Sequence, residues 1–257
     1  MLGVAVFALS LCSVWCEYVQ DEGDSMVGDM RLTPQQRMFI ETGIASRGTV
    51  TKPWPNNEVP YVIDGSVAGA RGVIMSAMEE WSRKTCIRFK PRTNERGFIR
   101  FFAEKGCWSN VGHQGYEQRI SLQARGCWHH GIVVHEIGHA LGFWHEQNRQ
   151  DRDTYVTIHH QNIQPDARSN FFKLRSTSTS TPYDYGSIMH YGAKDFTING
   201  KLTIEVKRKG VSIGQRNGLS EMDVMQAQIL FQCPAVDYSF ERLISENANH
   251  TLAETTC

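Results

Sequence analysis

The sequence predicts an α+β fold, and three observations carry that reading. Short β-branched and aromatic runs gather in the first half around one amphipathic helix. A second helix, His130 to Leu141, follows them and carries histidines on one face. Beyond Gly142 the regular pattern dissolves into loops until one closing helix near the C-terminus.

The elements follow in order. Leu2 to Trp15 is apolar, uncharged and short for a bilayer span, and small residues at Val14 and Cys16 precede the first charge at Glu17. Residues 1–16 therefore read as a secretory signal. The missing basic start leaves a short membrane anchor as the alternative. Glu17 to Asp29 is acidic and weakly patterned, and residues 30–45 can form a short helix that starts at Thr33-Pro34. Gly48 to Pro55 reads as a processing boundary and the entry to the main domain. Val59 to Ile63 is a strand. Residues 67–84 place Val73, Ile74, Ala77, Met78 and Trp81 at helical spacing. Cys86 to Lys90, Phe98 to Ala103 and, more briefly, Ile120 to Gln123 are strands. The helix His130–Leu141 turns Ile132, Val133, Ile137 and Leu141 to the core. Ser176 to Thr181 is an exposed loop, and Ser220 caps a helix that runs to Phe231. Residues 235–257 form a polar tail containing the only Asn-X-Ser/Thr site, Asn249-His250-Thr251.

Composition narrows the function classes. The 257 residues carry 27 Lys and Arg against 27 Asp and Glu. A neutral chain gives no basis for nucleic acid or an anionic membrane as its main partner, and no stable membrane association is expected. The run Lys207-Arg208-Lys209 is a solvated loop or strand end. Of seven cysteines, Cys12 and Cys16 leave with the signal and Cys257 is unmatched. The other four should pair in an oxidising compartment. Spacing favours Cys107–Cys127 and Cys86–Cys233, with three pairings open in principle.

The chemistry sits in His135-Glu136-Ile137-Gly138-His139-Ala140-Leu141-Gly142-Phe143-Trp144-His145-Glu146. Two histidines four residues apart on a helix lie one turn apart on the same face and can grip one metal ion. Glu136 projects beside them as a general base for a metal-bound water. Gly142 can turn the chain so that His145 returns as a third ligand. HExxHxxGxxH is the metzincin form of the zinc-protease motif. His113, His129, His130, His159, His160, His190 and His250 have no comparable spacing.

The chain resembles the astacin family of secreted zinc metalloendopeptidases. Beyond the motif and its Glu146, the resemblance rests on Ser187-Ile188-Met189-His190-Tyr191, which is similar to the family's Met-turn. Gly106-Cys107-Trp108-Ser109, Gly131-Ile132-Val133-Val134, Arg149 to Asp153 and Gly214-Gln215-Arg216 also match. The match runs from about Trp54 to Cys233.

The resemblance implies a metzincin, zincin-like fold of two subdomains about a cleft. The upper one would hold a twisted mixed sheet, a backing helix and the active-site helix. The lower one would be irregular, with a C-terminal helix. It implies one Zn²⁺ per subunit on His135, His139 and His145, and hydrolysis of protein or peptide substrates with Glu136 as general base. Tyr191 would be a catalytic hydrogen-bond donor and possible extra zinc ligand. Met189 would pack beneath the metal, and Glu146 would receive the N-terminal ammonium of the mature enzyme. The disulfides implied are Cys86–Cys233 and Cys107–Cys127.

Met26-Val27-Gly28-Asp29 resembles the family's inhibitory pro-segment motif, with Met in place of Phe. Asp29 would bind the zinc in the latent zymogen only. The organisation expected is a signal at 1–16, a pro-segment at 17–46, a protease domain at 47–234 and a flexible tail at 235–257. An activating protease would cut between Ala45 and Gly48.

Overall fold

The computed structural model describes residues 25–42, 52–174 and 181–234. The signal, the cut between Ala45 and Gly48, most of the Ser/Thr run, Cys257, the glycosylation site and the tail lie outside the described residues.

The N-terminal segment opens with β1 (Ser25–Val27), β2 (Met30–Leu32) and α1 (Pro34–Thr42). The helix starts at the expected Pro34, but residues 30–32 are a strand. β3 (Glu58–Ile63) follows, then α2 (Arg71–Lys84). α2 begins later than the apolar spacing suggests because Gly65–Ala70 winds as a 3-10 turn, with Asp64 accepting from the Ser66 amide at 2.9 Å. Two glycines in that stretch weaken α-helix there. β4 (Arg88–Pro91), β5 (Phe98–Phe102), β6 (Cys107–Asn110) and β7 (Glu117–Leu122) lead to α3 (His130–Leu141). The irregular half holds β8 (Val156–Ile158), β9 (Ile204–Val206) and α4 (Glu221–Leu230).

Among the described residues one sheet has the order β1-β2-β6-β7-β5-β3-β4, and β8 pairs with β9 in a second. The large sheet is mixed: β1 with β2 and β6 with β7 are antiparallel, and its other pairs are parallel. The N-terminal segment is thus part of the sheet, with β2 on β6 and Met30 opposite Ser109.

The main core joins β3, β5 and β7 to α2, α3 and α4 through residues such as Ile99, Phe101, Ile120, Ile74, Trp81 and Ile137. A second core lies in the irregular half around Val156, Ile163, Phe171, Tyr183, Tyr191 and Ile204. The disulfides close as Cys86–Cys233 and Cys107–Cys127. The first ties the chain after α2 to the end of α4. Lys207, Arg208 and Lys209 are exposed just past β9.

Candidate metal centre

α3 is held on several sides. The buried indole of Trp81 donates to Val134 O at 3.1 Å, and that of Trp54 donates to Ala140 O at 2.9 Å. Gly131 lets the Arg216 backbone come so close that any Cβ would collide with it. A Cβ on Gly138 would stand 2.8 Å from Met189 Sδ, so the methionine packs directly under the helix between the two histidines. Gly142 ends the helix at φ 114°, a left-handed conformation that glycine tolerates. The chain then turns and brings His145 back.

That turn completes a cluster. Ligand atoms of His135, His139, His145 and Asp29 all lie within 4.8 Å of one another. Asp29 Oδ2 is 3.1 Å from His135 Nε2, while Asp29 Oδ1 is 2.9 Å from His145 Nε2 and 3.4 Å from His139 Nε2. His135 Nδ1 lies 2.8 Å from Ile188 O, and His139 Nδ1 lies 2.8 Å from Phe143 O. A carbonyl only accepts, so both Nδ1 atoms carry hydrogens. Burial favours neutral imidazoles, lowering His135 and pushing His145 down to about 3. In the neutral ring of His135 the Nε2 lone pair then faces a carboxylate that also only accepts.

Acceptors converging on one buried point are reconciled by a cation. Asp29 Oδ1, His139 Nε2 and His145 Nε2 have no hydrogen-bond partner among the described residues. Three imidazoles, two of them with outer hydrogen bonds to backbone carbonyls, plus one carboxylate, form a donor set suited to Zn²⁺.

Glu136 follows His135 on α3 and is 1 % exposed. Its Oε2 has no hydrogen-bond partner among the described residues. Burial, then the charge of Asp29, pushes its carboxyl well above the usual range.

Tyr191 packs its ring on His145 with centroids 4.4 Å apart. Its buried Oη lacks a hydrogen-bond partner among the described residues. Gly28 crosses Tyr191 Oη so closely that a Cβ would run into it, and the Gly28 amide donates to Asn170 Oδ1 at 2.7 Å.

Glu146 is buried and already partnered. It accepts from the Asp184 amide at 2.8 Å and from Arg149 Nη1 at 3.2 Å. Burial pushes its carboxyl up to about 7, against the opposing charge of Arg149. Arg149, three residues along the same turn, forms an ion pair with it.

Three buried residues that sequence spacing does not single out support this centre. Gln147 Oε1 accepts from the Tyr191 amide at 3.0 Å. His190 Nδ1 donates to Tyr191 O at 2.8 Å, so its Nε2 accepts from Tyr183 Oη at 2.7 Å. Asp223 accepts from the Ile188 amide at 2.9 Å and from Ser187 Oγ at 2.6 Å. The same Asp223 carboxylate accepts from the Ser220 amide in the capping box of α4. The Ser220-x-x-Asp223 spacing signals the cap, but nothing in it signals the grip on Ile188.

Residues 46–232 match the family model of the astacin peptidases. The chain is 40% identical over 233 residues to Blastula protease 10 of Paracentrotus lividus, a match covering 82% of this chain and 39% of that protein. It is 46% identical over 178 residues to High choriolytic enzyme 2 of Oryzias latipes, covering 68% of this chain and 64% of that protein. The chain thus spans about two-fifths of the first relative and under two-thirds of the second. Its fold matches the solved structure of High choriolytic enzyme 1, a hatching enzyme zinc-protease from Oryzias latipes, with TM-score 0.69 and 42% identity over 74% of this chain and 98% of that one. With its mixed sheet, its three-histidine centre and these likenesses, the chain belongs to the astacin family of peptidases.

Proposed function

We propose that the chain is a secreted zinc endopeptidase made in latent form, with residues 17–46 as pro-segment and Asp29 as the blocking ligand. The observation that carries this reading is the convergence of Asp29 with His135, His139 and His145 on one buried point. The three histidines would hold one Zn²⁺ per chain, and Asp29 would take the position that a reacting water needs. When bound, Zn²⁺ supplies Lewis acidity, polarising a carbonyl and bringing the pKa of water towards about 7.

The other roles belong to side chains. Glu136 takes a proton from the attacking water and delivers it to the leaving amide nitrogen. Tyr191 Oη donates a hydrogen bond to the scissile carbonyl oxygen, or serves as an extra ligand. Met189 is an apolar, adaptable floor under α3. Glu146 would receive the ammonium made by cleavage between Ala45 and Gly48, alongside Arg149 and the Asp184 amide.

Substrates would be proteins or peptides, and a separate protease would release the pro-segment. Secretion is supported by the two disulfides and the apolar residues 1–16. No helix among the described residues is long and apolar enough to cross a membrane.

The test uses the full chain, with zinc content measured beside cleavage of a fluorogenic peptide. Asp29→Ala should raise the activity of the unprocessed chain. Glu136→Gln in the processed chain should lower turnover by about a hundredfold or more with zinc retained. An Asp29→Ala chain as latent as its parent would sink the blocking role, and a Glu136→Gln chain with full turnover would sink the mechanism.

A further inference from the structure

Beside the metal-facing carboxylate of Asp29 lies a small apolar core of its own. Met30, Leu32 and Val111 are essentially fully buried there, and Val27, Ile40, Trp144 and Phe172 pack against them. The cluster is separate from both larger cores. Its members come from two sides. Val27, Met30, Leu32 and Ile40 belong to the N-terminal segment, whereas Val111, Trp144 and Phe172 belong to the body.

The three body residues are tied to the metal centre through their neighbours in the chain. Val111 follows β6, and the Gly112 amide next to it donates to His139 O at 2.9 Å. Trp144 immediately precedes the ligand His145. Phe172 lies two residues beyond Asn170, whose side chain holds Gly28. Removing the segment takes away the side chains that cover these three and leaves an apolar groove next to the histidines. β6, which the segment pairs with, becomes free along that edge.

We propose that this groove is a substrate subsite selecting peptides with apolar side chains of the Leu, Met or Ile class. The proposal rests on the endopeptidase reading and adds its substrate class. The latent segment displays the pattern required. Met30 and Leu32 point into the groove, while Arg31 between them stands over the Trp108 ring at 5.1 Å. An extended peptide on the same edge must alternate its side chains in the same way, whichever direction it runs. The preferred sequence is therefore apolar-x-apolar on one side of the scissile bond. The middle position tolerates a polar residue and favours a cationic one over the indole.

The test has two arms, both on the full chain cleaved between Ala45 and Gly48. In a peptide-library profile, two positions separated by one residue should favour Leu, Met or Ile over Ser by about tenfold or more in kcat/KM. Trp144→Ala and Val111→Ser should each erode that preference. In the second arm, binding of the synthetic peptide Ser25–Leu32 is measured by calorimetry, which needs no turnover. Replacing Met30 and Leu32 in the peptide by Ser should weaken binding by about tenfold or more, and no change in the enzyme's own fold enters that comparison. Sensitive binding with no turnover would uphold the groove and overturn the endopeptidase reading. Turnover with no apolar-x-apolar preference, or binding indifferent to the serine replacements, would overturn the groove.

Discussion

Tyr191 is held by its backbone from both sides, with Gln147 accepting from its amide and His190 donating to its carbonyl. Both supporting side chains are fully buried. They fix where the phenol pivots without touching a reacting atom, so they are positioning residues. Gln147→Leu and His190→Phe should therefore lower kcat several-fold while leaving KM and zinc content near the parent values. An equal loss in zinc binding would mean that the substitutions disturb the metal centre as a whole. At this scale the sequence is informative where spacing encodes geometry. His135, His139 and His145 follow from helix periodicity plus a glycine turn, and the structure brings them together. Gln147 and Asp223 are not legible because each holds a backbone amide distant in sequence, and His190 because its bonds to Tyr191 O and the Tyr183 hydroxyl follow no periodic spacing. Glu146 is legible as an acid beside the third histidine, but its pairing with Arg149 depends on how a 3-10 turn folds back.

Among the elements, α3 depends on contacts that meet at Glu80 of α2. Glu80 accepts from Lys84 Nζ at 2.7 Å, from the Leu219 amide at 3.0 Å and from His130 Nε2 at 2.7 Å. One carboxylate thus links the backing helix, the first residue of the metal helix and the approach to α4. Burial alone would raise its pKa, but the bonds from Lys84 and His130 hold it below the ordinary value of 4.5. A depressed folded-state pKa contributes stability above the unfolded value, and that stability is lost as pH falls through the folded one. Glu80→Gln should therefore destabilise the protein by about 1–3 kcal/mol at neutral pH. The gap in melting temperature between variant and parent should close as pH falls below 4.5. A gap that is constant from neutral to acid pH would refute a charged role for Glu80. The helices are the most legible elements: α3 runs over the expected residues and α4 starts at its expected cap. Strands β1, β2, β6, β8 and β9 are not legible. Each has only three or four residues, too few for alternation to register, and pairing with distant partners decides them.

For the whole molecule, Cys86–Cys233 joins positions 147 residues apart and closes everything from β4 to α4 into one loop. On the chain-entropy model a loop of that length is worth about 5 kcal/mol, most of it through the unfolded chain. Cys107–Cys127 encloses a far shorter loop. Replacing Cys86 and Cys233 together by Ser should accordingly lower the melting temperature more than replacing Cys107 and Cys127. The reverse order would show that local strain or packing outweighs loop entropy. The division into a regular half and an irregular half is legible because hydrophobic periodicity stops at Gly142. The seating of residues 25–42 is not, since nothing in that stretch announces a strand added to a sheet that begins beyond residue 57. That added strand has a consequence for solubility. With β2 in place, the backbone of β6 is satisfied and offers no template to another molecule. Were the segment cleaved off as proposed, the processed protein would carry an open sheet edge beside apolar side chains, the combination that drives edge-to-edge aggregation. The same residues that would keep the enzyme silent would then also keep it dispersed until its substrate, another extended chain, is there to take their place.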